Sequence, residues 1–234
     1  MQSISLVTVT YNNAGGLRKT LQSIADLKKR PQEVIVIDGG STDSTSIVIS
    51  EYENVYPIIF VSEKDNGIYD AMNKGKKLAK YDFIHYLNAG DYVQGEPYDA
   101  LELQYRYLVK ILDENGAFLS FDKIKIYGFG YCHQGILFFK EHPPYDLHYK
   151  IAADFDLIMQ VFPFGLKELP VINNGYVVYG LGGVSSKKRM ARDIEILEIL
   201  YKRCGCIRAL GFIAYSLSKL FIPKTLRRRL LKIK

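Results

Sequence analysis

Val36-Ile37-Asp38-Gly39-Gly40-Ser41-Thr42-Asp43 is the stretch that decides how this chain is read. The β-rich run Glu33-Val34-Ile35-Val36-Ile37 ends abruptly in an acid, two glycines and a Ser-Thr-Asp cluster, and residues 44–50 then read as a helix. A short apolar run bounded by turn residues predicts a buried strand. Asp38 and the glycines then lie at its carboxyl end, where open α/β sheets bind ligands. Gly39 and Gly40 allow positive φ and close approach of the backbone to a ligand. Asp38 is expected to face the crevice, accepting hydrogen bonds from a ribose hydroxyl or a base N–H. Asp43 is also explained by a plain strand–turn–helix corner, as an N-cap.

The rest of the amino-terminal half repeats the pattern. Residues 4–10 form another β-rich run, ending in Tyr11-Asn12-Asn13 before an amphipathic helix over about 15–27. A third strand, 58–61, is followed by Ser62-Glu63-Lys64-Asp65-Asn66-Gly67 and a helix over about 68–79. A fourth, 83–87, runs into Asn88-Ala89-Gly90-Asp91. Strands alternating with helices predict parallel β-α units with helices on both faces. Each strand delivers polar or acidic residues to the same sheet edge, as a binding crevice requires.

With 234 residues and 48% apolar content, one α/β domain over 1–186 with an appended helical segment over 187–234 is expected. Met1-Gln2-Ser3 leads straight into a strand, so no signal peptide is expected. Cys132, Cys204 and Cys206 suggest neither a disulfide framework nor a zinc site, and a reducing cytoplasm fits. The net charge of +6 divides unevenly: residues 185–234 hold 14 Lys+Arg against 3 Asp+Glu, the remainder 17 against 22. Within that segment residues 207–222 are apolar but interrupted by Arg208 and Lys219, too short to span a bilayer. Lys224, Arg227, Arg228, Arg229, Lys232 and Lys234 follow. Apolar helix plus cationic cluster predicts peripheral attachment to an anionic membrane surface, on its cytoplasmic face. A packed helix with a solvated basic end is the plainer reading. No aromatic platform accompanies the basic run, so nucleic acid is not the expected partner.

Four motifs in order carry a resemblance: Thr8-Val9-Thr10-Tyr11-Asn12, the stretch 38–43, the stretch 65–75 from Asp65-Asn66-Gly67 to Asn73-Lys74-Gly75, and Leu87-Asn88-Ala89-Gly90-Asp91. With them the chain resembles the family 2 glycosyltransferases of GT-A fold, a Rossmann-like mixed sheet flanked by helices. Bacterial members that build surface polysaccharides are most alike, and the likeness runs over about 3–184. The resemblance implies a nucleotide-sugar donor (a UDP-sugar first, GDP- or dTDP-sugars next), a divalent metal, Mn²⁺ or Mg²⁺, and inversion at the anomeric carbon. The acceptor it implies is a saccharide or lipid-linked saccharide. Carried over by position, the donor-binding residues are Thr10, Tyr11, Asn12, Asp38, Gly40, Asp65, Gly67, Asp70, Asn73, Lys74, Asn88, Ala89 and Gly90.

The chemistry follows physically. Negative charge builds on the leaving diphosphate, and a carboxylate-held divalent cation neutralises it. Mg²⁺ needs only one or two protein carboxylates beside waters and phosphates. Asp91 is the expected ligand; the family's run of three acids is here reduced, with Asn88 and Gly90 in the other places. Inversion also needs a base for the acceptor hydroxyl. Ile151-Ala152-Ala153-Asp154-Phe155-Asp156-Leu157 resembles the family's acidic motif, and Asp154 carries over as base. Asp156 competes, or serves only as a first-turn acid.

His133-Gln134, after Gly128-Phe129-Gly130-Tyr131-Cys132, resembles the family's His-Gln near donor diphosphate or acceptor, and His133 is placed with the catalytic residues. His85, His142 and His148 read as structural. Tyr131, Tyr145 and Tyr149 are candidates for a sugar subsite. Residues 98–114 read as a helix, and 180–186 as a loop able to close over donor or link to the tail. Two other functions compete. One is another enzyme on an α/β scaffold: a dinucleotide enzyme should show Gly-x-Gly-x-x-Gly after its first strand, and a nucleotidyltransferase a glycine- and basic-rich triphosphate loop, and Tyr11-Asn12-Asn13-Ala14-Gly15-Gly16 carries neither. A catalytically weak nucleotide-sugar-binding protein is suggested by the missing acids at 88 and 90.

Overall fold

The computed structural model describes residues 3–99, 107–113, 115, 132–162, 169–180 and 188–221. The first four strands and three helices run β1 (Ile4–Thr10), α1 (Ala14–Ala25), β2 (Glu33–Asp38), α2 (Thr45–Tyr52), β3 (Ile58–Ser62), α3 (Ile68–Leu78) and β4 (Phe83–Tyr86). β1 pairs in parallel with β2 on one side and β4 on the other, and β3 pairs in parallel with β2. The chain continues as β5 (Tyr92–Gly95), β6 (Tyr107–Asp113), a 3-10 turn (His133–Gly135), β7 (Ile136–Phe139), α4 (Ala153–Val161) and β8 (Val171–Tyr179). Two helices follow, α5 (Arg189–Cys204) and α6 (Cys206–Phe221). Among the described residues the sheet has eight strands in the order β3-β2-β1-β4-β7-β6-β8-β5, with β7 antiparallel to β4 and to β6.

The strand residues alternate between two cores, as period-two geometry requires. Val7, Val9, Ile35 and Ile37 face one cluster with Met72, Phe138, Ile158 and Ile199. Leu6, Val34 and Val36 face the other with Leu17, Leu21 and Ile49. Gly75 lets α3 lie against β1, because a Cβ there would overlap Val7 Cγ1.

One expectation changes. The helix expected over 98–114 is strand β6 where it is described, at Tyr107–Asp113. The β-rich sequence Tyr-Leu-Val-Lys-Ile-Leu pairs with β7 and β8, so long-range ladders override a local helical reading. The segment after residue 187 shares the domain's core: Ile196, Ile199, Leu200, Ala209 and Phe212 are buried in the first cluster. No helix among the described residues is long and apolar enough to cross a membrane. The basic residues 224–234, Tyr131 with its glycine-rich approach, and 181–186 of the expected lid lie outside the described residues.

Candidate active site

The carboxyl ends of β1, β2 and β4 converge as the sequence predicts, but several polar side chains there are turned onto their own loops. Asp38 is 2% exposed rather than facing the crevice. Its Oδ2 accepts from Ser41 N (2.9 Å) and Ser62 Oγ (2.6 Å), and its Oδ1 from the Ser41 hydroxyl. A buried carboxylate requires such partners, and here they fix the glycine turn, with Gly40 at φ +82°. Asp43 joins two helices: Oδ1 accepts from Thr45 N at the start of α2, and Oδ2 from Ala14 N at the start of α1. The residue immediately before α2 is Ser44, which makes no side-chain cap bond.

Asn12 and Asn13 tie the loops together. Asn12 N donates to Ser41 Oγ (2.7 Å), and Asn12 Oδ1 accepts from Thr42 N (2.9 Å). Asn13 caps α1 through Gly16 N and donates Nδ2 to Ala89 O (3.0 Å). Tyr11 between them is 65% exposed, an aromatic face open beside Gly39 and Asp65. A Cβ on Gly39 would lie 2.7 Å from Asp65 Oδ2 and 3.2 Å from the Tyr11 ring, so only glycine leaves both side chains in place. Asp65 Oδ1 accepts from Gly67 N, and Asp70 Oδ2 from Asn66 N, shaping the entry to α3.

Asn73 and Lys74, expected at the donor, make contacts with the scaffold. Both amide atoms of Asn73 are engaged by the Tyr145 backbone, at 2.9 and 2.8 Å. Lys74 Nζ pairs with Glu63 (2.7 Å) and donates to Lys64 O (3.0 Å). The Glu63 contact raises its pKa above the ordinary lysine value. A helix position inside a family motif does not distinguish a lysine that meets phosphate from one that braces a loop.

The loop 88–91 is braced on every side. Gly90 N donates to Thr20 Oγ1 (3.0 Å), whose hydroxyl donates to Asp91 O (2.6 Å). Gln134, beside His133, grips the loop twice: Oε1 accepts from Asn88 N (2.8 Å), and Nε2 donates to Asp91 Oδ2 (2.6 Å). Asp91 Oδ1 accepts from Gly180 N (2.7 Å), so the expected lid begins anchored on the expected metal ligand. Gln134 was legible as half of a His-Gln pair; its bridging role was not.

On the other side of Gln134 lies the candidate base. His133 Nδ1 is 3.4 Å from Asp154 Oδ2. Tyr69 Oη lies 2.8 Å from Ile151 O and 3.1 Å from Asp154 Oδ1 and shares its proton between them. Burial first, then the Asp154 charge, pushes the Tyr69 pKa well up, so it stays a donor. Tyr145 stacks on Tyr69 at 5.2 Å and meets His133 edge-on at 6.0 Å. Asp154 keeps 27% of its side chain exposed, whereas Asp156 is fully buried in an ion pair with Arg203 (Nε–Oδ1 2.5 Å). His85 is a core residue: Nδ1 bonds Tyr98 Oη and Nε2 bonds Gln134 O, both at 2.7 Å. His142 is bonded to Tyr86 and Pro143, and His148 pairs with Glu198.

No group of three His, Cys, Asp or Glu among the described residues can enclose a metal ion. Asn88 Oδ1 and His133 Nε2 are nonetheless buried without a partner among the described residues. Either atom can ligate a cation, and both neighbour Gln134, which holds Asp91. One carboxylate with neutral oxygen and nitrogen donors fits a cation that takes its remaining ligands from phosphate and water.

The model of the family described as "Glycosyl transferase family 2" matches residues 5–123, half of the chain. The chain belongs to glycosyl transferase family 2. A hyaluronan synthase of Pasteurella multocida is 42% identical over 88 residues, 36% of this chain and 9% of that protein. The chain thus spans a small part of that relative. The GT-A fold is shared with solved structures at low identity. Staphylococcus aureus TarS in complex with UDP has a TM-score of 0.66 and 18% identity, over 99% of this chain and 75% of that one. A mannosyltransferase from Pyrobaculum calidifontis in complex with GDP-Man and Mn²⁺ has a TM-score of 0.60 and 14% identity, over 98% and 78%.

Proposed function

We propose that this family 2 member is an inverting glycosyltransferase that moves a sugar from a nucleotide-diphosphate donor to a saccharide acceptor in surface-polysaccharide synthesis. The observation that carries the reading is the chain Asp91–Gln134–His133–Asp154, which links the expected metal loop to a part-exposed carboxylate. The nucleotide lies along the carboxyl ends of β1 and β2, with Tyr11 as a surface for the base. UDP is the first choice, since TarS is crystallised with it.

Transfer is a single displacement. The acceptor oxygen attacks the anomeric carbon, the bond from that carbon to the diphosphate breaks, and Asp154 takes the hydroxyl proton. Tyr69 and His133 hold the carboxylate. A divalent cation, when bound, supplies charge neutralisation at the leaving diphosphate, with Asp91 as its protein carboxylate and Asn88 or His133 as further donors.

Attachment to an anionic membrane surface is proposed for the carboxyl-terminal helices. Ile207, Leu210 and Leu217 of α6 are 82%, 63% and 51% exposed, and the basic residues follow directly. Replacing the exposed Ile207, Leu210 and Leu217 by Ser together with truncation after Ile222, which leaves the buried Ala209 and Phe212 in place, is expected to abolish sedimentation with anionic liposomes while preserving UDP binding. Continued sedimentation of that variant contradicts the anchor.

Thermal stabilisation by UDP, GDP and dTDP, with and without Mn²⁺, tests the donor reading. One nucleotide should stabilise, more with Mn²⁺, and Asp91→Asn should remove the Mn²⁺ increment alone. No stabilisation by any nucleotide contradicts it.

A further inference from the structure

Helix α5 lies wholly beyond the residues that carry the family pattern, yet it grips the helix of the candidate base at two points. Glu195 Oε1 accepts from Lys150 N (2.9 Å), and Oε2 accepts from Ile151 N (2.9 Å) and Ala152 N (2.8 Å). These amides lead into α4, whose own N-cap residue, Ala152, makes no side-chain cap bond. Helix starts leave N–H groups without intrahelical partners. Here a carboxylate from another helix accepts from the approach to α4, where negative charge also suits the helix dipole.

Two turns further along α5, Arg203 holds Asp156 through Nε–Oδ1 (2.5 Å) and Nη2–Oδ2 (2.9 Å). Between the two grips, Ile199 and Leu200 are buried in the core. Asp154 lies between the clamped residues 150–152 and Asp156. The Ile151 carbonyl also receives the Tyr69 hydroxyl that touches Asp154. A shift of residues 150–152 therefore moves the carboxylate and one of its partners together.

We propose that Glu195 and Arg203 are positioning residues for Asp154, which makes α5 part of the catalytic unit rather than of a peripheral tail. The inference rests on the reading of Asp154 as base. Reactive groups misplaced by about 1 Å can lose about 10²-fold in rate, so the clamp acts on turnover and not on the nucleotide end of the crevice.

The test uses the full chain. Glu195→Asp keeps the charge but shortens the reach by one methylene; Glu195→Gln keeps the reach and one acceptor oxygen. Three quantities are measured: UDP-GlcNAc hydrolysis with Mn²⁺, the Kd for UDP, and the ¹⁵N shifts of the His133 imidazole, assigned with His133→Gln. Glu195→Asp should lower kcat about tenfold or more with UDP affinity within about twofold, Glu195→Gln should fall between it and wild type, and the His133 shifts should follow the same order. In an Asp154→Asn background Glu195→Asp should cost nothing further. Wild-type kcat and unchanged His133 shifts in Glu195→Asp overturn the proposal, as does a parallel loss of UDP affinity. If UDP-GlcNAc is not turned over, the His133 shifts decide alone. Full turnover by Asp154→Asn removes the base reading instead, and the His133 shifts still report whether the clamp sets the geometry.

Discussion

The two ends of the proposed crevice, one for the nucleotide and one for the base, are built differently. At the nucleotide end, the loops after β1 and β2 are fixed mainly by one another and by the end of β3: Asp38 by Ser41 and Ser62, Asn12 by Ser41 and Thr42. At the base end, Asp154 depends on partners brought from Tyr69, His133 and, through its helix, from α5. The nucleotide end is self-braced and carries the sequence pattern. The base end is assembled by tertiary contacts, and it should be the easier of the two to disturb from a distance.

Substitutions can sharpen that contrast. Asp156→Asn should destabilise the fold by roughly 3–4 kcal/mol, the lower part of the range for breaking a buried ion pair because Arg203 is part-exposed. Chemical denaturation measures this, and a loss below about 1 kcal/mol would show that α5 does not hold α4 through this pair.

The core between the two ends carries a pH signature. Burial lowers the His85 pKa from 6.5 to about 4. The unfolded chain binds the proton first, so stability is full above about pH 6.5 and falls as the pH drops towards 4, by about 3 kcal/mol in all. Urea titrations at pH 7 and pH 4.5 check the slope, and His85→Gln should flatten it.

Two glycines separate packing from binding. Gly75→Ala forces α3 away from Val7 and should cost about 2 kcal/mol of stability. Gly39→Ala meets the Asp65 carboxylate and the Tyr11 ring, and should instead weaken UDP binding about tenfold, equivalent to about 1.4 kcal/mol. Calorimetric titration with UDP and a melting curve on each variant tell the two apart.

The same contrast explains what could be read from the chain alone. The β-α alternation to residue 86 was legible because periodicity and turn residues are local, and Asp91, His133 and Asp154 enter the proposed site through their motifs. Three features were not. Asn73 belongs to the Tyr145 backbone, a partner 72 residues away. Residues 107–113 are a strand only because β7 and β8 offer ladders. Glu195 and Arg203 look like ordinary helix charges until α4 is packed beside them. The motif already favours Asp154 over Asp156, and burial separates them further.

Turnover of the donor by Asp154→Asn, with Asp156→Asn beside it, tests the central claim most directly. With Asp154 as base, Asp154→Asn should lower kcat by about 10²-fold or more while the Kd for UDP stays within about twofold. Near wild-type turnover in Asp154→Asn, with the loss of kcat at constant UDP affinity appearing in Asp156→Asn, would contradict the account.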